Sequence, residues 1–369
     1  MITQLEQLLA HTAAPLPALF ERMFHVVTTA GHAVIPPAMV PWVTARFGSA
    51  AAVGTQQIVR VTNRFTHESA LFNPLRALRP AGGRSDDAAI DAWVAAELAA
   101  GDAFADPLHA TTADRFGRIV GQYAMSASNI AKYEGVHGLV IFAEPHPLRF
   151  DHAQLADYLA VALRWLAAAH AAEPQACYPM ITWNCLPHSG ATIAHGHMQL
   201  ALAREMHYAR VEAWRQVTAD YRTTYAAGFC DDLYRLHAAL GLALDARAPA
   251  RAFAHLTPLR NREIVAFLAP PAANLAAAAP QTAGVWADLL YPILRGLIDG
   301  QGMRSFNLAI ALPPFGATPE PWDDMPVIVR IADRGDPLAI RNDWGAMELY
   351  AAGCITVDPF EVAALLRDG

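Results

Sequence analysis

Two stretches of this 369-residue chain echo each other, and the echo limits the fold more than any composition figure does. Trp183-Asn184 leads through Pro187 to Gly190-Ala191-Thr192, and Phe306-Asn307 leads through Pro313-Pro314 to Gly316-Ala317-Thr318. Ahead of each pair, in the same order, a strand-like run (136–143, then 261–268) precedes a proline-bearing turn and a helix. Two echoes in one order imply an internal repeat. The expected fold class is α+β: two halves, each a mostly antiparallel sheet with covering helices. Residues 1–55, broken by Pro15, Pro17, Pro36, Pro37 and Pro41, read as an N-terminal helical extension. Residues 56–226 then form the first half and 227–369 the second.

Apolar alternation predicts strands at Gln57–Thr62, 139–143 and 180–184. Helical composition predicts helices over 86–100, ending at Gly101, over 151–170 with Asp151 as N-cap, and over roughly 205–226.

Composition narrows the function. Hydrophobic residues make up 54% and charged residues 17%, enough apolar material for a large core. The net charge of −7 opposes binding to nucleic acid or anionic membrane through a broad basic face, yet leaves room for a pocket that holds a phosphorylated small molecule. No apolar stretch is suited to span a bilayer. Residues 1–20 carry Glu6 and no basic leader, so they do not read as a signal peptide. Cys177, Cys185, Cys230 and Cys354 form no C-x-x-C pair, which fits reduced thiols and a cytoplasmic location.

The segment that carries chemistry is Thr192-Ile-Ala-His195-Gly-His197-Met-Gln199-Leu. On a strand over 194–203, period two puts His195, His197 and Gln199 on one face and Gly196, Met198 and Leu200 on the other. Three polar side chains on one face of an apolar strand need partners or a cleft. Upstream, Ser189-Gly190-Ala191-Thr192 forms a small-residue turn whose backbone N–H groups can face an anion. Taken alone, an H-x-H pair is also compatible with two satisfied core histidines or with two imidazoles on one zinc.

The whole pattern from Asn184 to Gln199 resembles the histidine-triad superfamily, and within it the galactose-1-phosphate uridylyltransferase branch. That family carries Asn, a Gly-x-Ser-type turn and then His-Pro-His-Gly-Gln at the same spacing; here Gly196 replaces Pro, Met198 replaces Gly and Thr192 replaces Ser. Pro74-Leu-Arg76-Ala-Leu-Arg79-Pro80 resembles its arginine segment near the nucleotide, Ser128-Asn129 its base-contacting Asn, and Gly138 to His146 its strand leading to a metal-binding His. Glu348-Leu349 and Val357 to Glu361 resemble its closing sugar-contacting helix.

The resemblance implies a nucleotidylyltransferase with His197 as nucleophile, attacking the α-phosphorus of a nucleotide sugar and passing the nucleoside monophosphate to a second sugar phosphate. His195 and Gln199 would assist; Arg76, Arg79, Asn129, Asn184, Ser189, Gly190 and Thr192 would bind nucleotide and phosphate, and Glu348 the sugar. Gln199 stands where hydrolytic relatives have a third His. An amide is no acid, so it favours transfer over hydrolysis. The family is commonly a homodimer in which the partner's C-terminal half completes each site. Two alternatives stand beside this reading: a phosphorylase of nucleotide sugars or dinucleoside polyphosphates, and a catalytically inactive nucleotide-binding protein.

The family's zinc uses a Cys-x-x-Cys pair and two histidines. Here the histidine positions survive as His146 and His195, but Asp102 and Ala105 stand where the thiolates would be. Ala105 ligates nothing. We therefore expect no required cofactor; a retained zinc would have to rest on His146, His195, Asp102 and His109.

Overall fold

The computed structural model describes residues 1–78, 85–247, 250–271, 275–339 and 345–368. The strands among them are β1 (Phe24–His32), β2 (Thr55–Asn63), β3 (Ser69–Phe72), β4 (Ala124–Ser128), β5 (Val136–Phe142), β6 (Ala176–Cys185), β7 (His197–Arg204), β8 (Ala243–Arg247), β9 (Ala250–Ala254), β10 (Ile264–Leu268), β11 (Phe306–Ala311), β12 (Val327–Asp333) and β13 (Ala352–Ile355).

Nine of these form one sheet in the order β4-β5-β7-β6-β11-β12-β10-β9-β8. The repeat is visible in that order. β4-β5-β7-β6 and β9-β10-β12-β11 have the same antiparallel topology, and they join edge to edge where β6 pairs with β11. The two echoes fall on equivalent strands, 136–143 with 261–268 on β5 and β10, and Trp183-Asn184 with Phe306-Asn307 on β6 and β11. The register sets Asn184 directly opposite Asn307, so a local two-fold axis passes between them.

Each half also places a long helix between its second and third strands, His152–Ala172 and Leu275–Arg295. The first opens on a capping box: Asp151 Oδ1 accepts from Gln154 N and Gln154 Oε1 from Asp151 N, both at 2.8 Å. Its Leu155, Leu159 and Leu166 are fully buried, and each such side chain contributes about 1.5–3 kcal/mol of apolar burial. It lies tight on β5, because a Cβ at Gly138 would meet Trp165 Cζ2 at 2.4 Å. The Phe142 ring stacks on Tyr158 with centroids 3.8 Å apart. Phe142, Met198 and Leu200 thus belong to the helix-covered face, and His197 and Gln199 project from the other.

The remaining strands form a second sheet, β1-β2-β3-β13, with β13 parallel to β3. Residues 1–55 therefore contain a nine-residue strand besides their helices. Its burial does not alternate cleanly, which is why period two did not reveal it. At the β2–β3 turn the buried Glu68 reaches Arg330 of β12 at 2.6 Å and also Arg210, tying the two sheets together. Burial alone would raise the Glu68 carboxyl, but Arg330, His255 and Arg210 hold it well below the usual carboxylate range. No described helix is long and apolar enough to cross a membrane.

Candidate functional site

β7 begins at His197, three residues later than expected, so His195 lies in the bend before it. The cause is local: Gly196 N donates to Pro145 O beyond the end of β5, and a Cβ at Gly196 would strike the Phe142 ring at 2.5 Å. Both imidazoles still touch one ring, that of Phe104, edge-on at 5.8 Å for His195 and 5.3 Å for His197.

His197 is 7% exposed and its Nδ1 lies 2.8 Å from the His195 carbonyl. A carbonyl only accepts, so Nδ1 carries the hydrogen and Nε2 keeps its lone pair. Nε2 has no hydrogen-bond partner among the described residues. Burial lowers the His197 pKa below the ordinary histidine value and favours the neutral ring. The result is an imidazole fixed in the tautomer a nucleophile needs.

Gln199 is oriented in a similar way. His137 Nδ1 accepts from Tyr133 N at 3.3 Å, so its Nε2 bears the hydrogen and donates to Gln199 Oε1 at 3.2 Å. The Gln199 amide nitrogen is left as a donor without a partner among the described residues. Asn129 lies alongside, its Oδ1 accepting from Ala131 N; its Nδ2 is 3.1 Å from His137 Nε2, but two donors make no hydrogen bond, so that amide N–H is not held by the ring. Sequence reasoning missed His137. Its signal was period two on the strand it had already placed at 139–143.

Asn184 Oδ1 accepts from Asn307 Nδ2 at 2.7 Å, and the same nitrogen donates to Ser189 O at 2.8 Å. Arg334 Nη1 in turn donates to Asn307 Oδ1 at 2.5 Å. The amide N–H groups of Asn184 thus have no partner among the described residues and lie on the side of the Gly190 turn. In that turn Ser189 is buried with its hydroxyl committed to Leu186 O, while Thr192 is exposed. Gly190 takes φ +96°, a left-handed conformation that disfavours side chains. Asn307 was legible as half of a repeat but not as a site residue.

Of the residues named for a retained zinc, Asp102 and His195 meet, while His146 and His109 each face another carboxylate. His195 Nδ1 lies 2.7 Å from Asp102 Oδ2 and its Nε2 2.7 Å from Phe142 O, so both ring nitrogens aim at oxygens. His146 instead sits 3.0 Å from Asp91 Oδ1, and His109 is exposed beside Asp106. Among the described residues no three His, Cys, Asp or Glu side chains group to hold a metal. The donor set does not fit the zinc that the resemblance implied.

Arg76 and Glu348 share a different cavity, of ≈ 560 Å³, with Arg260, Arg262, Arg334 and Cys354 on its walls; none of His195, His197 or Gln199 lines it. Glu348 pairs with Arg260 at 2.6 Å. Arg79 lies outside the described residues.

This is a two-half α+β chain with an oriented imidazole on the open face of its shared sheet. No family model and no curated protein matches it. Among solved structures it is similar to an ADP-glucose phosphorylase from Arabidopsis thaliana with bound ADP-glucose, with a TM-score of 0.64, 16% identity, and coverage of 83% of this chain and 96% of that one. It is also similar to a GalT-like protein from Arabidopsis thaliana (TM-score 0.56, 15% identity, 70% and 92% covered) and to a uridylyltransferase (TM-score 0.55, 14% identity, 68% and 85% covered). The chain shares its fold with these three solved structures.

Proposed function

We propose that the chain is a nucleotidyltransferase that carries a nucleoside monophosphate on His197 between phosphate acceptors, with a nucleotide sugar as donor. The observation that carries this is the His197 ring, its Nδ1–H held by the His195 carbonyl, with neither its Nε2 nor the Gln199 amide nitrogen two residues along the strand having a partner among the described residues. His197 Nε2 attacks the α-phosphorus, an N–P bond forms, and the bond from that phosphorus to the bridging oxygen breaks. The electron pair leaves with sugar 1-phosphate, so no strong acid is required. The amide groups of Gln199 and Asn184 are available to stabilise the charge on the non-bridging oxygens. A phosphate oxygen of the acceptor then displaces His197 and takes the nucleotide away. Two inversions give net retention at phosphorus and ping-pong kinetics.

The acceptor is a sugar phosphate in the first reading and inorganic phosphate in the second. The similarity to the ADP-glucose phosphorylase over 83% of this chain favours the second enough to keep it. Cys354 lines the Arg76–Glu348 cavity; the uridylyltransferase resemblance would place a sugar-contacting Gln at that position, so the sugar need not be galactose. Because that cavity is separate from His197, we further propose a cytoplasmic homodimer in which the Arg76–Glu348 cavity of one copy completes the His197 site of the other.

Incubation with UDP-, ADP- and GDP-sugars, read by intact mass, tests the core of this. One of them is expected to add one nucleoside monophosphate to the wild type and nothing to His197→Ala. Binding without any adduct would move the protein to the inactive nucleotide-binding reading. Release of the adduct by inorganic phosphate or by a sugar phosphate separates the two acceptors.

A further inference from the structure

We infer that Asp102 substitutes for a metal in this chain. Its carboxylate locks the His195 ring and, through the His195 main chain, holds His197 in its reactive tautomer. The His195 side chain is 4% exposed and lies between two oxygens, Asp102 Oδ2 and Phe142 O, each 2.7 Å away. With each ring nitrogen turned onto a protein oxygen, neither is presented to a metal. Asp102 is itself fixed, 8% exposed at its side chain and with Oδ1 accepting from Phe104 N at 2.9 Å. It is delivered by the helix Asp87–Ala100, which stops at Gly101 with φ +151°, a backbone conformation side chains rarely adopt. The second anchor is equally rigid, since Phe142 ends β5 and its ring stacks on Tyr158. The chain of contacts then runs from the His195 carbonyl to His197 Nδ1 at 2.8 Å. A charge-assisted hydrogen bond in a buried setting is about twice as strong as a neutral one, which makes a carboxylate an effective replacement for a ligated ion. Asp102 is thus a positioning residue. Its catalytic consequence rests on His197 being the nucleophile; the metal-free strut does not.

The full-length protein tests both parts. Metal analysis of the purified chain is expected to find far less than one metal per chain, with the same melting temperature and the same histidine ring ¹H–¹⁵N spectrum before and after chelation. In that spectrum His195 is expected to show a slowly exchanging Nδ1–H. Asp102→Ala should abolish that signal and release His197 from its single tautomer, and Asp102→Asn, whose amide oxygen still accepts, should retain both in part. The rate of adduct formation should fall about ten- to hundredfold in Asp102→Ala, as expected for a misplaced reacting group, with KM within about twofold and partial rescue by Asn. If Asp102→Ala fails to fold, Asp102→Asn read by the same spectrum decides. Stoichiometric zinc whose removal shifts the His195 signals, or ring spectra unchanged in both variants, would overturn the inference. Absence of any nucleotide adduct on the wild type would sink the proposed function instead, with the spectra and metal content still deciding the strut.

Discussion

Asn184 and Asn307 face each other across the seam between the two halves, and the Asn307 amide nitrogen donates to Asn184 Oδ1 over 2.7 Å. Because the same nitrogen also holds Ser189 O, one side chain from the half without the His-x-His strand sets both an expected ligand-binding amide and the turn beside it. Asn307→Ala should cost about 1–3 kcal/mol in stability by leaving acceptors unpaired. It should also slow nucleotidylation of His197 by about tenfold. Asn307→Asp should be worse, since its carboxylate would face two other acceptors. Urea unfolding and a mass-resolved time course measure the two effects; an adduct rate unchanged in both variants would remove Asn307 from the site.

Gln199 depends on His137 for its direction. His137→Phe keeps a ring against Tyr133, whose centroid lies 3.9 Å from that of the histidine, but removes the N–H that holds Gln199 Oε1. The amide is then free to turn, and the adduct rate should fall about tenfold with little change in KM. Gln199→Glu replaces a donor with a negative charge facing phosphate and should cost about a hundredfold or more. Single-turnover rates on the two variants check the order; an unaffected Gln199→Glu would exclude this side chain from the transition state.

The parts of this molecule that could be read from the chain were the local ones. Period two placed His197 and Gln199 on one face, and the paired echoes revealed the duplication, because both signals live within a few residues. The contacts that make the site are long-range. Asp102 and His195 were expected together only as ligands of a retained zinc, not as a direct pair, and nothing near Asn307 announces Asn184, since only the β6–β11 register brings the latter pair together. The four-stranded sheet was hidden for the same reason: β13 pairs with β3 from the opposite end of the chain. His195 left the expected strand because Gly196 packs against Phe142, a contact that no pattern of alternation encodes.

The pH profile of the first chemical step should carry the mark of burial. Desolvation lowers the His197 pKa, and the bond to the His195 carbonyl offsets only part of that. The attacking form is neutral, so the adduct rate should reach its half-maximum below pH 6.5, where an ordinary histidine would be about half protonated. Rates from pH 5 to 8 give the answer. A half-maximal rate at or above pH 6.5 would contradict the desolvated ring.

Acid should also weaken the fold through two histidines away from the site. Burial pushes His237 down to about 3 and His207 down to about 4. Each folded value lies below the unfolded value of about 6.5, so the unfolded chain binds more protons between them. The stability these rings contribute is complete above pH 6.5 and is lost as pH falls towards 4 and then 3. The slope is at most about 1.4 kcal/mol per pH unit for each histidine. In urea titrations His237→Gln should lower stability at pH 7 yet reduce the slope between pH 6 and 4.5 by roughly 1 kcal/mol per unit. An unchanged slope would mean that His237 is already protonated in the fold.

If the Arg76–Glu348 cavity serves the His197 of a partner copy, two inactive variants should repair each other. His197→Ala lacks the nucleophile and Glu348→Gln lacks the carboxylate that pairs with Arg260 at 2.6 Å. In a heterodimer of the two, one composite site receives both lesions and the other receives neither. Random exchange of subunits from an equal mixture makes half the dimers mixed, each with one intact site, so activity should return to about a quarter of wild type. Sites built within a single chain would give no recovery above the mean of the separate variants. Light scattering on the same samples fixes the oligomeric state, and a monomer at assay concentration would end the shared-site proposal while leaving the His197 chemistry standing.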